Sequence, residues 1–171
     1  MRPLDAAHRP LLDDFQRDAE LVRVVLIVSP TCDVCVAGAT IAGADLLAAV
    51  PRPDLRLYFA WIPVLPTDSL TEATAVAATI PDPRATHYWD ADRALGQRMG
   101  EALGITARES IGVEGGHGLA WDVYLAYARG NADLTRPDFW MHQLAVTHAP
   151  RLDAELFRER VEELLATKPQ S

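Results

Sequence analysis

A nearly continuous apolar stretch, Leu21-Val22-Arg23-Val24-Val25-Leu26-Ile27-Val28, is dense in β-branched residues and lacks the alternation of a half-exposed strand. That pattern predicts a strand covered on both faces of a sheet. Ser29-Pro30-Thr31 ends it, since proline offers no ladder donor and turns its predecessor away from helix. Ahead of the strand, Leu11, Leu12 and Phe15 among Asp13, Asp14 and Arg17 predict an amphipathic helix within residues 5–20. Behind it, Cys35, Ala39, Ala42, Leu46 and Val50 recur near helical spacing, which predicts a helix from residue 33 to about 50. Pro51 and Pro53 stop it.

The alternation continues. Residues 55–62 read as a second strand, and residues 67–79 as a helix capped by Asp68 or Ser69 with Glu72 in its first turn. Residues 85–89 read as a short strand; Asp90 caps a helix over 91–103 that Gly104 ends. Gly104, Gly112, Gly115, Gly116 and Gly118 make residues 104–118 a long loop, followed by a strand over 119–127 and a turn at Arg129-Gly130-Asn131. Phe139-Trp140-Met141 reads as a helical turn, and residues 151–167 close the chain as an amphipathic helix carrying Leu152, Leu156, Val161, Leu164 and Leu165. Strands and helices in alternation predict an α/β fold of three layers: a central mixed sheet of four to five strands, partly parallel, flanked by helices. A late strand followed by a turn leaves room for an antiparallel hairpin. The expected organisation is one domain over residues 1–171 with its core at about 20–168.

Composition narrows the function classes. A formal net charge of −8 with scattered basic residues argues against DNA, RNA or anionic membrane as partners. No apolar run approaches the roughly 20 residues that span a bilayer, and the first ten residues lack the apolar centre of a secretory signal. The expected location is cytoplasmic. Two cysteines in 171 residues are too few for a disulfide-stapled scaffold, and they form a local pair, Cys32-Asp33-Val34-Cys35.

A strand running into a CxxC that opens a helix resembles the thioredoxin superfamily. The likeness extends through the 121–127 strand, the Arg129-Gly130-Asn131 turn and the final helix. The segment from Thr86 to Ile105 resembles the strand–helix insertion of peroxiredoxin-like and cytochrome-maturation-like members. The resemblance implies a redox-active Cys32–Cys35 pair: Cys32 attacks a disulfide, Cys35 resolves the mixed disulfide, and no cofactor is needed. It implies a protein or small-molecule disulfide as substrate and a reductase as partner. A helix N-terminus favours the attacking thiolate, whereas the Asp33 carboxylate beside it works the other way. The sequence departs from the family pattern at Asp33-Val34, where thioredoxins carry Gly-Pro between the cysteines, and in three further places. Thr31 stands where thioredoxins carry tryptophan, Leu26 where they bury an aspartate, and Asp122 where a cis-proline usually opens the opposing strand.

Asp122 is therefore a candidate to accept a proton or bind a substrate amide, or else to bond loop amides as strand-end Asp does. His117 in the glycine-rich loop is a candidate proton shuttle or soft-metal ligand, or a solvent-facing histidine. Trp121 and Trp61 are candidates to line a groove, and His142 to pack structurally. No set of residues predicts a metal site outright. Two other readings compete with oxidoreductase chemistry: a soft-metal-binding thiolate pair, and a redox-inactive or sensing interaction module. A peroxidase would carry threonine where Ser29 stands.

Overall fold

A computed structural model describes residues 1–112 and 116–167; Gly115 of the loop lies outside the described residues. Among the described residues, six strands form one mixed sheet. In chain order they are β1 (Arg2–Pro3), β2 (Val22–Val28), β3 (Leu55–Trp61), β4 (Ala85–Trp89), β5 (Val123–Tyr127) and β6 (Phe139–His142). Across the sheet they lie β1-β4-β3-β2-β5-β6. β1 to β4 run parallel to their neighbours, whereas β5 is antiparallel to β2 and β6 to β5.

The α/β three-layer expectation holds, with six strands in place of four or five. One addition is β1, two residues pairing with Tyr88 and Trp89, too short to show any period. The other is β6, which corrects the helical turn expected at Phe139-Trp140-Met141. A four-residue apolar run favours neither helix nor strand by itself, and the open edge of β5 supplies its ladder.

The helices are α1 (Arg9–Arg17), α2 (Asp33–Ala39), α3 (Leu46–Ala49), α4 (Leu70–Ala77), α5 (Ala94–Ala102) and α6 (Ala154–Ala166). A π-helical turn over Thr40–Asp45 joins α2 to α3, so residues 33–49 form one continuous helical segment. Ser69 caps α4 by accepting Glu72 N–H at 3.2 Å, and Asp153 caps α6 by accepting Leu156 N–H at 2.8 Å. Asp90 accepts the amides of Ala94 and Leu95, but α5 starts later than expected because Arg93 is left-handed, with φ 58°.

Strand alternation divides the interior in two. Val24, Leu26 and Val28 of β2 join Leu57, Phe59 and Trp61 beneath the 33–49 segment, α4 and α6. Val25 and Ile27 join Tyr58, Ala60, Val123 and Leu125 beneath α1 and α5. Because both faces are covered, β2 is buried throughout, as its apolar run, interrupted only by Arg23, predicted.

Candidate active site

Beyond Val28 the chain passes through buried Ser29 and Pro30 to reach the cysteines. Asp68 fixes this passage. Its carboxylate accepts from Ser29 Oγ at 2.8 and 3.0 Å, from Thr31 N at 3.0 Å and Thr31 Oγ1 at 2.6 Å. It also accepts the amides of Val64 and Leu65, each at 2.7 Å. Burial pushes this carboxyl up, but the donors from Thr31, Leu65, Val64 and Ser29 outweigh it and hold it below the usual range. In the sequence Asp68 competes with Ser69 as a helix cap; the structure gives the cap to Ser69 and leaves Asp68 to brace the loop before the CxxC.

Cys32 is the N-cap of α2, half-buried, and its Sγ accepts the Cys35 amide at 3.4 Å. Cys35 lies one turn on and is fully buried. Burial, then the Asp122 carboxyl, push its thiol well above the ordinary range; a hydrogen bond from the Ser29 backbone opposes them. Asp33 and Val34, between the cysteines, are exposed.

Asp122 arrives from a distant part of the chain through strand register. The β2–β5 pairing sets Val123 opposite Ile27, so the residue before Val123 falls at the C-terminal end of β2, beside the cysteines. The β5–β6 pairing sets Val123 opposite His142, which places Gln143 across from Asp122; the Gln143 amide donates to the Asp122 carbonyl at 3.0 Å. Asp122 is left-handed, φ 56°, and β5 starts only after it, later than the expected strand over 119–127.

The Asp122 side chain is 3% exposed. Its Oδ1 accepts from the Tyr124 hydroxyl and from Gln143 Nε2, the latter at 3.1 Å. Burial pushes the carboxyl up, and the bonds from Tyr124 and Gln143 offset this only in part. Gln143 Nε2 also donates to the Val34 carbonyl at 3.1 Å, linking the carboxyl to the CxxC backbone. Gly38 makes room for the cluster: a Cβ there would stand 1.7 Å from the Tyr124 hydroxyl and 2.5 Å from Gln143 Nε2.

The structure thus brings Cys32, Cys35 and Asp122 together, with Asp33 exposed at their rim. Trp121 is half-buried next to Asp122 in the chain, touches both core clusters, and donates Nε1–H to Ser110 Oγ at 3.1 Å. His117 is not brought to the cysteines. It is exposed and lines a groove of about 430 Å³ with Arg93 and with Gln97 and Glu101 of α5, on the opposite sheet face. His117 is held there because its neighbour Gly118 packs against Gly100 of α5.

Trp61 is fully buried, its Nε1–H donating to His87 Nδ1 at 3.2 Å, so it lines no open groove. His142 packs in the interior: its Nδ1 accepts Leu144 N–H at 3.0 Å and its Nε2 lies 3.0 Å from the Ala149 carbonyl. Sequence reasoning missed Tyr124, Gln143, Gly38 and the bracing role of Asp68. A tyrosine two residues after a strand-end aspartate was the only available signal, and it reads as ordinary core.

Among the described residues, no group of three or more His, Cys, Asp or Glu is placed to hold a metal ion, and no helix is long and apolar enough to cross a membrane. No family model matches the sequence, and no curated protein matches it. The structure is similar to the solution structure of a thioredoxin-like protein in the oxidised form. The TM-score is 0.50 at 17% identity, over 86% of this chain and 79% of that one. The chain therefore has a thioredoxin-like fold, and Cys32 and Cys35 are its CxxC pair.

Proposed function

We propose that the protein is a thiol–disulfide oxidoreductase. Cys32 attacks a disulfide in a protein or small molecule, Cys35 displaces the product, and a reductase partner restores the two thiols. The observation that carries this reading is the asymmetry of the pair. Cys32 is half-buried and reachable, with the Cys35 amide donating to its sulfur, while Cys35 is sealed beneath it one helical turn away. A disulfide can meet only the first thiol.

The test is equilibration in glutathione redox buffers, with the Cys32–Cys35 disulfide quantified by alkylation and intact mass. A reversible two-electron transition between about −200 and −270 mV is expected for a reductase. Cys32→Ser is expected to abolish both this transition and the reduction of model disulfides. Absence of any disulfide across the whole buffer range would overturn the proposal.

A further inference from the structure

Resolution of a mixed disulfide requires Cys35 to lose a proton while fully buried, where burial disfavours the thiolate. The central strand offers no acid for this: Leu26, paired with Tyr124, lies on the face that Cys35 covers. The Asp122 carboxyl, by contrast, is buried at the end of β2 beside the cysteines and is joined through Gln143 Nε2 to the Val34 carbonyl between them. We propose that Asp122 is the catalytic proton acceptor for Cys35, held in place by Tyr124 and Gln143. The inference rests on the oxidoreductase reading and names the group that makes its second step possible.

The chemistry balances as follows. With Cys32 joined to the substrate sulfur, the Cys35 proton passes to the Asp122 carboxylate, and Cys35 Sγ attacks Cys32 Sγ. The Cys32–Cys35 bond forms, the Cys32–substrate bond breaks, and its electron pair leaves on the substrate sulfur. That sulfur then takes the proton back from Asp122 or from solvent. The enzyme dithiol is oxidised and the substrate disulfide reduced.

Electrostatics favours the transfer. Moving a proton between two neighbouring buried groups leaves the enclosed charge unchanged, so no further ion is desolvated. The holders of Asp122 are neutral donors, Tyr124 and Gln143, which support the carboxylate without neutralising it as an arginine would. Its titratable surroundings are Cys35 on α2, with Cys32 beyond, Tyr124 on β5 and His142 on β6. Burial holds His142 below its ordinary range, so it adds no cation near neutrality. The link from Gln143 to the Val34 carbonyl ties the acceptor to the segment that carries both cysteines.

The test mixes reduced protein with oxidised glutathione, quenches with acid, and follows by intact mass the Cys32–glutathione adduct and its conversion to the internal disulfide. In Asp122→Asn the adduct is expected to form and accumulate, with conversion slowed tenfold or more at neutral pH and recovering as the pH rises. Tyr124→Phe keeps the carboxyl but removes a donor to its charged form; the pH at which conversion switches on is expected to move upward. Should Asp122→Asn prove unfolded by circular dichroism, the Tyr124→Phe shift decides alone. Conversion at the wild-type rate and pH profile in either folded variant overturns the assignment of Asp122. Failure of the wild-type protein to form any adduct or internal disulfide would instead remove the oxidoreductase reading, and this inference with it.

Discussion

At the scale of single residues, the site depends on one absent side chain. Gly38 lies in α2 within van der Waals reach of the Tyr124 hydroxyl, which in turn reaches Asp122. Alanine there would gain up to about 1 kcal/mol of helix propensity. The clash opposes this, because Tyr124 is fully buried and pinned between Asp122 and Gln143, so it has nowhere to retreat. Overpacking of that kind costs about 1–3 kcal/mol, and the clash wins. Gly38→Ala is expected to lower the urea midpoint, and Tyr124→Phe in the same chain to recover part of the loss. A glycine inside a helical pattern shows in sequence only as a weakness; which hydroxyl needs its space is decided across the sheet.

At the scale of elements, the segment before Cys32 is held by an aspartate from another loop. Asp68 gathers donors from Ser29, Thr31, Val64 and Leu65, and its carboxyl is held below the usual range despite burial. A carboxyl whose folded value is depressed stabilises the fold above its unfolded value, about 3.9. That contribution is lost as pH falls through the folded value. Asp68→Asn is therefore expected to destabilise the protein near neutrality, with the gap between the two urea midpoints constant down to about pH 5 and closing in the acid limb. An equal gap at pH 3 and pH 7 would show that the charge is not what braces the loop. The sequence marks position 68 or 69 as a helix start and goes no further, since a cap and a loop brace use the same residue types.

At the scale of the whole molecule, Arg23 joins three regions. It sits in the central strand, fully buried, and its guanidinium donates to the carbonyls of Leu21 at 3.2 Å, Phe15 at 3.1 Å and Ala128 at 2.6 Å. It also lies 4.3 Å over the Phe15 ring, so α1, the start of β2 and the end of β5 meet on one side chain. Arg23→Met keeps much of the apolar stem but strands buried carbonyls, each worth about 1–3 kcal/mol. A loss of about 2–4 kcal/mol in urea unfolding is expected, a large share of the 5–15 typical of a domain. In the sequence Arg23 interrupts an apolar run without explanation. Two of its three partners are 8 and 105 residues away, beyond any local pattern.

The sequence by itself determined the elements that repeat: the doubly covered strand β2, the helix after the CxxC, the parallel alternation and the closing amphipathic helix. Their periods are local, set by the pleat and the helical turn, and they survive any arrangement of the rest. It also determined the cysteine pair, because both thiols fall within one helical turn. Only the tertiary structure decided β1 and β6, which exist because neighbouring edges pair with them. Only the tertiary structure separated Asp122 from His117 as neighbours of the cysteines. The antiparallel register of β5 on β2 carries Asp122 to the end of the central strand, while packing of Gly118 against Gly100 keeps His117 with α5. Register and close packing arise between segments far apart in the chain, so no window along the sequence contains them.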